Sequence, residues 1–194
     1  YARHQAYLTK GILISVFDER TGEKESFYFE GGIKSYVKRL NESKEVLADD
    51  IFYVDKQIEE AEVEIAVQYN DTYVETMKPF ANNVLTPEGG THVVGFRTAL
   101  NRTINDYARR NNLLKEKEDN LTGDDIKEGL TAVISVKIPN PEFEGQTKNK
   151  LGNPEVRGYV DKVMSEYFGY YLEENPSIAK KIVGKATLAA RARK

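Results

Sequence analysis

Gln146 and Lys148 stand two residues apart in Gly145-Gln146-Thr147-Lys148-Asn149-Lys150-Leu151-Gly152, a polar, basic stretch bracketed by glycines. A donating amide and a compact ammonium on a flexible stem suit one task, contact with the oxygens of an anion. The anion would have to be held by something outside the chain, because no phosphate-cradling glycine loop and no dinucleotide fingerprint occurs anywhere in the sequence. Composition alone favours a plainer reading, a solvated surface loop, since lysines are mostly exposed. Two further sets of cations point the same way. Arg97, Arg102, Arg109 and Arg110, with Asn101 and Asn105 between them, fall on the polar faces of a segment whose apolar stripe is Val93, Phe96, Leu100, Ile104 and Tyr107. From Asn175 onward there is no acidic residue, while Lys180, Lys181, Lys185, Arg191, Arg193 and Lys194 are basic. A solvated helix face is the bland alternative for both sets.

Other chemistry is missing. The chain has no cysteine, which excludes disulfides and thiolate metal sites and fits a reducing cytoplasm. His4 and His92 are too far apart in sequence to read as a metal cluster, so no metal ligand is assigned. Glu59-Glu60 and Glu173-Glu174 carry no mark of a catalytic pair, and Asp124-Asp125 suits the positive end of a short helix better than catalysis. None of the 12 tyrosines has the context of a nucleophile. A net charge of −3 excludes a uniformly basic nucleic-acid binder and confines any such role to local patches. No apolar run approaches a membrane span. A stand-alone enzyme does not emerge; a module that completes or responds to a site built elsewhere does. The opening Tyr1–Leu8, without an initiator Met, reads as the tail of a preceding helix and hence as a piece of a longer protein.

The elements that would carry these residues follow from patterning. Residues 12–17 predict a buried strand and 26–29 its partner across a turn at Thr21-Gly22. Ile33, Tyr36, Val37 and Leu40 predict a short amphipathic helix. Residues 63–69 alternate as a half-buried strand, Asn70-Asp71 signals a tight turn, and 72–77 is expected to return beside it. Residues 80–90 read as a long loop that opens a helix at Thr91, and the charged stretch 111–120 as mobile. Leu130–Ile138 is a strand for the centre of the sheet. The connection 139–153 is expected to lack regular structure, a length that marks functional or disordered segments. Asn153-Pro154 and Asn175-Pro176 each predict a helix start, with Asn as N-cap. The first of these helices carries a stripe of Val156, Val160, Val163, Tyr167 and Tyr170; the second is expected to project from the domain. The resulting class is α+β: a mixed, mainly antiparallel sheet with helices on one face and a C-terminal helical arm.

Four segments, in order, carry a family resemblance: Tyr28–Ile33, Glu88-Gly89-Gly90-Thr91-His92 with Gly95-Phe96-Arg97, Leu121–Lys137 with its Thr122-Gly123-Asp124-Asp125 start, and Phe143–Lys148 with Gln146-Thr147-Lys148. The sequence resembles the transducer domain of type IIA DNA topoisomerases, the group of the bacterial gyrase and topoisomerase IV B subunits, over nearly its entire length. That resemblance implies a domain over 1–174, with 1–10 leading in from a GHKL-type ATPase domain, and an arm over 175–194 leading onward. It implies a left-handed βαβ crossover, an exception to the usual hand. It implies that Gln146 and Lys148 reach the γ-phosphate of ATP held with Mg2+ by the ATPase domain, Lys148 stabilising the transferred phosphoryl group. Arg97, and with it Arg102, becomes a candidate contact to double-stranded DNA. The partner of the full-length protein would be the gyrase A subunit in a heterotetramer, with no membrane involved. This stretch alone would be an inactive monomer whose 145–152 loop is mobile without its ligand. The alternative kept open is a non-catalytic DNA-binding structural module.

Overall fold

The computed structural model describes residues 1–193. Five strands form one mixed sheet in the order β3-β4-β7-β5-β6: Phe52–Ile58, Ala61–Tyr69, Leu130–Lys137, Thr76–Ala81 and Val84–Leu85. The expected central strand is the central strand: β7 pairs antiparallel with β4 and parallel with β5. A separate hairpin is made by β1 (Leu13–Asp18) and β2 (Glu23–Tyr28).

Side chains alternate across the sheet and face two cores. Val63, Ile65 and Val67 of β4, with Ala132, Ile134 and Val136 of β7, pack against α3 (Thr91–Arg110) and α5 (Pro154–Glu174). Ala66, Phe80 and Val133 point the other way, to Tyr7 of α1 (Ala2–Leu8) and Ile33, Tyr36 and Val37 of α2 (Ile33–Leu40). Helices therefore cover both faces, not one as the pattern suggested. The short α2 carries only three buried residues, too few for periodicity to say which face it would cover.

Three local expectations change in the same way. The strand at β1 forms, but Leu13 and Phe17 are 64% and 60% exposed, because apolar, β-branched composition predicts pairing and does not supply a cover. Residues 72–75 are not a strand; β5 begins at Thr76 and lies beside β7 rather than β4. Pro79 is tolerated inside β5 because its carbonyl accepts from Thr86 N on the β6 side, which places the missing N–H on that side and away from the β7 ladder. Residues 80–90 are not one long loop: Asn82 and Asn83 both take positive φ, 47° and 63°, and close a two-residue hairpin between β5 and β6.

The α5 stripe runs through Val156, Val160, Val163, Met164, Phe168 and Leu172, while Tyr170 is exposed and Tyr167 only partly buried. The stretch 111–120 is tied down: the Arg109 guanidinium donates to the Lys115 and Glu118 carbonyls and to Asn120 Oδ1, and Leu114 is buried. An unforeseen polar knot joins α2 to the sheet. Asn41 Oδ1 accepts from Asn70 Nδ2 at 3.0 Å and Thr131 Oγ1 at 2.8 Å, and Asn41 Nδ2 donates to Gln68 Oε1 at 2.9 Å.

The last helix, α6 (Pro176–Arg193), lies against the body, with Ala179, Ile182, Val183, Ala186 and Ala189 buried. The projection expected for it is not seen; Lys194 lies outside the described residues. Its far end is held at α4 (Gly123–Lys127), where Thr122 and Asp125 form a capping box. Arg193 donates to both carboxylate oxygens of Asp125 at 3.0 and 3.1 Å, and Asp125 is 2% exposed. Burial pushes the Asp125 carboxyl up, but hydrogen bonds from Arg193 and Thr122 outweigh it and hold it below the usual carboxylate range. Asp125→Ala loses cap and ion pair together and is expected to cost about 2–4 kcal/mol. Asp124→Ala, which loses only the exposed pair with Lys127, is expected to leave stability nearly unchanged; chemical denaturation of both variants checks the difference.

Candidate functional site

The connection 139–153 has structure of its own. β8 (Phe143–Glu144) and β9 (Lys150–Leu151) pair antiparallel, Phe143 opposite Leu151 and Glu144 opposite Lys150. Gly145 at φ 75° and Lys148 at φ 55° supply the left-handed positions that turn the chain, and Lys148 N donates to Gly145 O at 3.4 Å. Residues 145–148 are exposed, so the tip is neither packed nor structureless at its base.

Below the tip, the hairpin is fastened to the start of α3. Leu151 is fully buried, its N–H donates to Gly89 O at 3.1 Å, and Glu88 N donates to Asn149 O at 3.0 Å. Gly90 forms a parallel bridge to Leu151. A Cβ at Gly90 would stand 2.3 Å from Leu151 O and 2.5 Å from Leu151 N, so only glycine permits the contact. Gly95 allows a comparable approach further along α3, where a Cβ would meet Arg157 O of α5 at 2.4 Å. Two motifs 55 residues apart, at Glu88–His92 and Phe143–Lys148, are thus one structural unit.

The charges at the hairpin divide unequally. Lys150 Nζ bonds Glu144 Oε2 at 3.1 Å across the two strands. Lys148 enters no ion pair among the described residues; its Nζ lies 5.7 Å from the centroid of the Phe143 ring, an exposed cation over a π face. Gln146 is exposed beside it. The tip offers donors, and the two carboxylates beside it are engaged, Glu144 by Lys150 and Glu88 by Asn149 Nδ2 at 3.4 Å. It suits an anion and provides no oxygen cage for a hard cation such as Mg2+.

Arg97 lines a cleft with Glu88, Gly90 and the hairpin's Lys150, and both Arg97 and Arg102 are paired within the chain. Arg97 pairs with Glu75: Nη2 donates to Oε2 at 3.0 Å, and Nη1 stands 2.8 Å from Oε1 as an ion-pair contact. Arg102 Nη2 donates to Asp161 Oδ1 at 2.6 Å and to Ser165 Oγ on α5. Their side chains remain about half exposed, at 45% and 48%. Phosphate contact by either would compete with a carboxylate, which sequence could not reveal because both carboxylates are distant in the chain. Three carboxylates that spacing did not single out, Asp55, Glu62 and Glu64, gather across β3 and β4 with ligand atoms within 4.8 Å of one another. Tyr53 OH donates to Glu64 and Lys137 pairs with Glu62, which offsets some of their mutual repulsion.

His92, at the start of α3, is fully buried. Its Nε2 is 3.1 Å from Thr86 Oγ1, and Nδ1 has no partner. Burial lowers its pKa to about 4 from 6.5. The unfolded chain takes up this proton between pH 6.5 and 4 while the folded chain does not, so stability falls as pH drops through that window. The full loss is on the order of 3 kcal/mol. Melting temperatures of the wild type and His92→Gln are expected to converge or cross between those two values, the wild type losing more on acidification.

The DNA gyrase B family model matches residues 32–194. The chain belongs to the DNA gyrase B family. The gyrase B protein of Streptococcus pneumoniae is 56% identical over 190 residues, 97% of this chain and 29% of that protein. The gyrase B-family chain thus spans under a third of the length of such relatives. Among solved structures, the 43K ATPase domain of Thermus thermophilus gyrase B, in complex with an aminocoumarin, superposes with a TM-score of 0.90 at 41% identity, covering 99% of this chain and 52% of that one. The topoisomerase IV ATP-binding domain of Francisella tularensis, in complex with a small-molecule inhibitor, gives 0.83 at 29% identity, covering 98% and 51%. No helix among the described residues is long and apolar enough to cross a membrane.

Proposed function

We propose that this chain is the transducer domain of a gyrase B subunit, within an ATP-dependent type IIA topoisomerase that works in the cytoplasm, and that it couples ATP binding and hydrolysis to DNA strand passage and supercoiling. The observation that carries the reading is the Gln146–Lys148 tip, an exposed, unpaired cation and an amide on a hairpin whose base is fixed to α3. Bound ATP supplies the phosphoryl group that is transferred to water, with Mg2+ held by residues of the adjoining GHKL-type ATPase domain. Gln146 donates an amide N–H and Lys148 an ammonium to the γ-phosphate oxygens, and charge that grows there on transfer is stabilised by Lys148. Once the γ-phosphate is gone the hairpin loses its differential contact, and the orientation of the two domains is free to change. The gyrase assignment, rather than topoisomerase IV, is supported by the family model over residues 32–194 and by the 56% identity to a gyrase B protein.

The β5–α3–β7 path joins two parallel neighbours, and we take it as the left-handed crossover of that domain class. Double-stranded DNA would run past Arg97 and Arg102, and the gyrase A subunit would complete the heterotetramer. The decisive experiment is ATP turnover by the full-length protein carrying Lys148→Ala; wild-type turnover would remove the reading.

A further inference from the structure

We propose that Asn153 is the positioning residue of the Lys148 hairpin, tying its two limbs together in addition to holding Glu155 in the first turn of the helix it begins. The functional half of this inference rests on the reading that Lys148 contacts phosphate. Asn153 occupies the N-cap position of α5, yet its side chain makes no capping bond to that helix. It is 4% exposed. Its Oδ1 accepts from Glu142 N at 2.6 Å, and its Nδ2 donates to Asn140 O and to Glu155 Oε1, each at 3.0 Å.

Asn140 and Glu142 lie on the limb entering the hairpin, and Asn153 is where the other limb leaves it. One carboxamide therefore ties the two limbs at the base, directly below the bond from Gly152 N to Glu142 O at 2.7 Å and the Phe143–Leu151 pair. Strands of two residues do not hold a hairpin in water by themselves, so the buried tie supplies what the short ladder cannot. Looseness at the base is carried to the tip, where a displacement of about 1 Å can cost roughly 100-fold in rate. The α5 start does not need this side chain, since Pro154 stands at the first helical position and Glu155 in the first turn.

Chemistry separates the two roles. A helix cap needs one acceptor, which Ser and Asp provide as well as Asn. The hairpin tie needs an acceptor and an NH2 donor together; Asp lacks the donors and Ser is too short to span both limbs. Asn153→Ser and Asn153→Asp in the full-length protein are expected to lower kcat for ATP by roughly 10- to 100-fold. Amide exchange over 143–151 should accelerate at least about tenfold, with 157–172 of α5 unchanged. Turnover by both variants within twofold of wild type would overturn the functional role. Acceleration spread equally through α5, or absent from the hairpin, would overturn the tie itself and make Asn153 an ordinary helix start. Lys148→Ala measured alongside keeps the failures apart: its retention of wild-type turnover sinks the phosphate reading and the functional half with it, while the exchange result still decides the tie.

Discussion

Lys148→Ala in the full-length protein is expected to lower ATP turnover by about 100- to 1,000-fold while leaving the melting temperature within a degree or two. The rate loss follows from removing one preorganised positive donor aimed at developing phosphoryl charge, an effect of that order where such donors have been deleted. The stability change is small because Lys148 is exposed and its side chain forms no ion pair among the described residues, only the cation–π approach to Phe143. Lys148→Arg keeps the charge but replaces a compact ammonium with a planar fork, and should recover only a fraction of the activity. Steady-state ATPase assays, with nucleotide affinity measured separately, decide between loss of chemistry and loss of binding. Lys150→Ala provides the internal contrast. Lys150 carries the same charge two residues away but is engaged by Glu144, so its removal should cost far less.

The second large effect is structural. Gly90→Ala should destabilise the fold by about 3–5 kcal/mol, because a φ of 135° and a Cβ overlapping the Leu151 backbone are both forbidden at once. The loss should be reported locally as well, with the Glu88–Asn149 and Gly89–Leu151 bonds released and the Lys148 hairpin freed from α3. Gly158→Ala is the control: it lies within α5 with no atom within 4 Å of its added Cβ and should stabilise by about 0.5–1 kcal/mol. Equal effects at the two glycines in urea titrations would dismiss the close-approach argument.

Much of the local structure was legible because local rules govern it. Strong apolar runs and clean 3.6-residue stripes predicted β7, α3 and α2, and the short helix start at Asp124-Asp125 was equally readable from its neighbours. The Asn-Pro starts placed α5 and α6 equally locally, but the expected side-chain capping is not seen: Asn153 makes no capping bond and Asn175 Nδ2 donates back to Tyr171 O of α5. Errors fell where a distant partner decided the outcome. Residues 72–77 were expected beside β4, but the strand over 76–81 takes β7 as its neighbour, a choice made by the crossover through α3 and not by turn residues. The basic tail read as a projecting arm because alanines form a weak stripe; it docks because Ala179, Ile182, Val183 and Ala186 join the main core, and Arg193 then reaches Asp125, 68 residues earlier. Arg97 and Arg102 looked like free cations until Glu75 and Asp161 were placed beside them.

By itself, the sequence determined the residue types that can meet an anion, Gln146 and Lys148 on a glycine-bracketed turn, and the family whose motifs surround them. Which cations are free was decided only by the tertiary structure. Pairing is a property of distance in space, and the carboxylates that pair with Arg97, Arg102 and Lys150, unlike Lys148, are brought there by the sheet, the α3–α5 packing and the hairpin. The same reason hid Asn153: as a cap its role would be local and readable, whereas as a tie it depends on Asn140 and Glu142 returning to it across the turn.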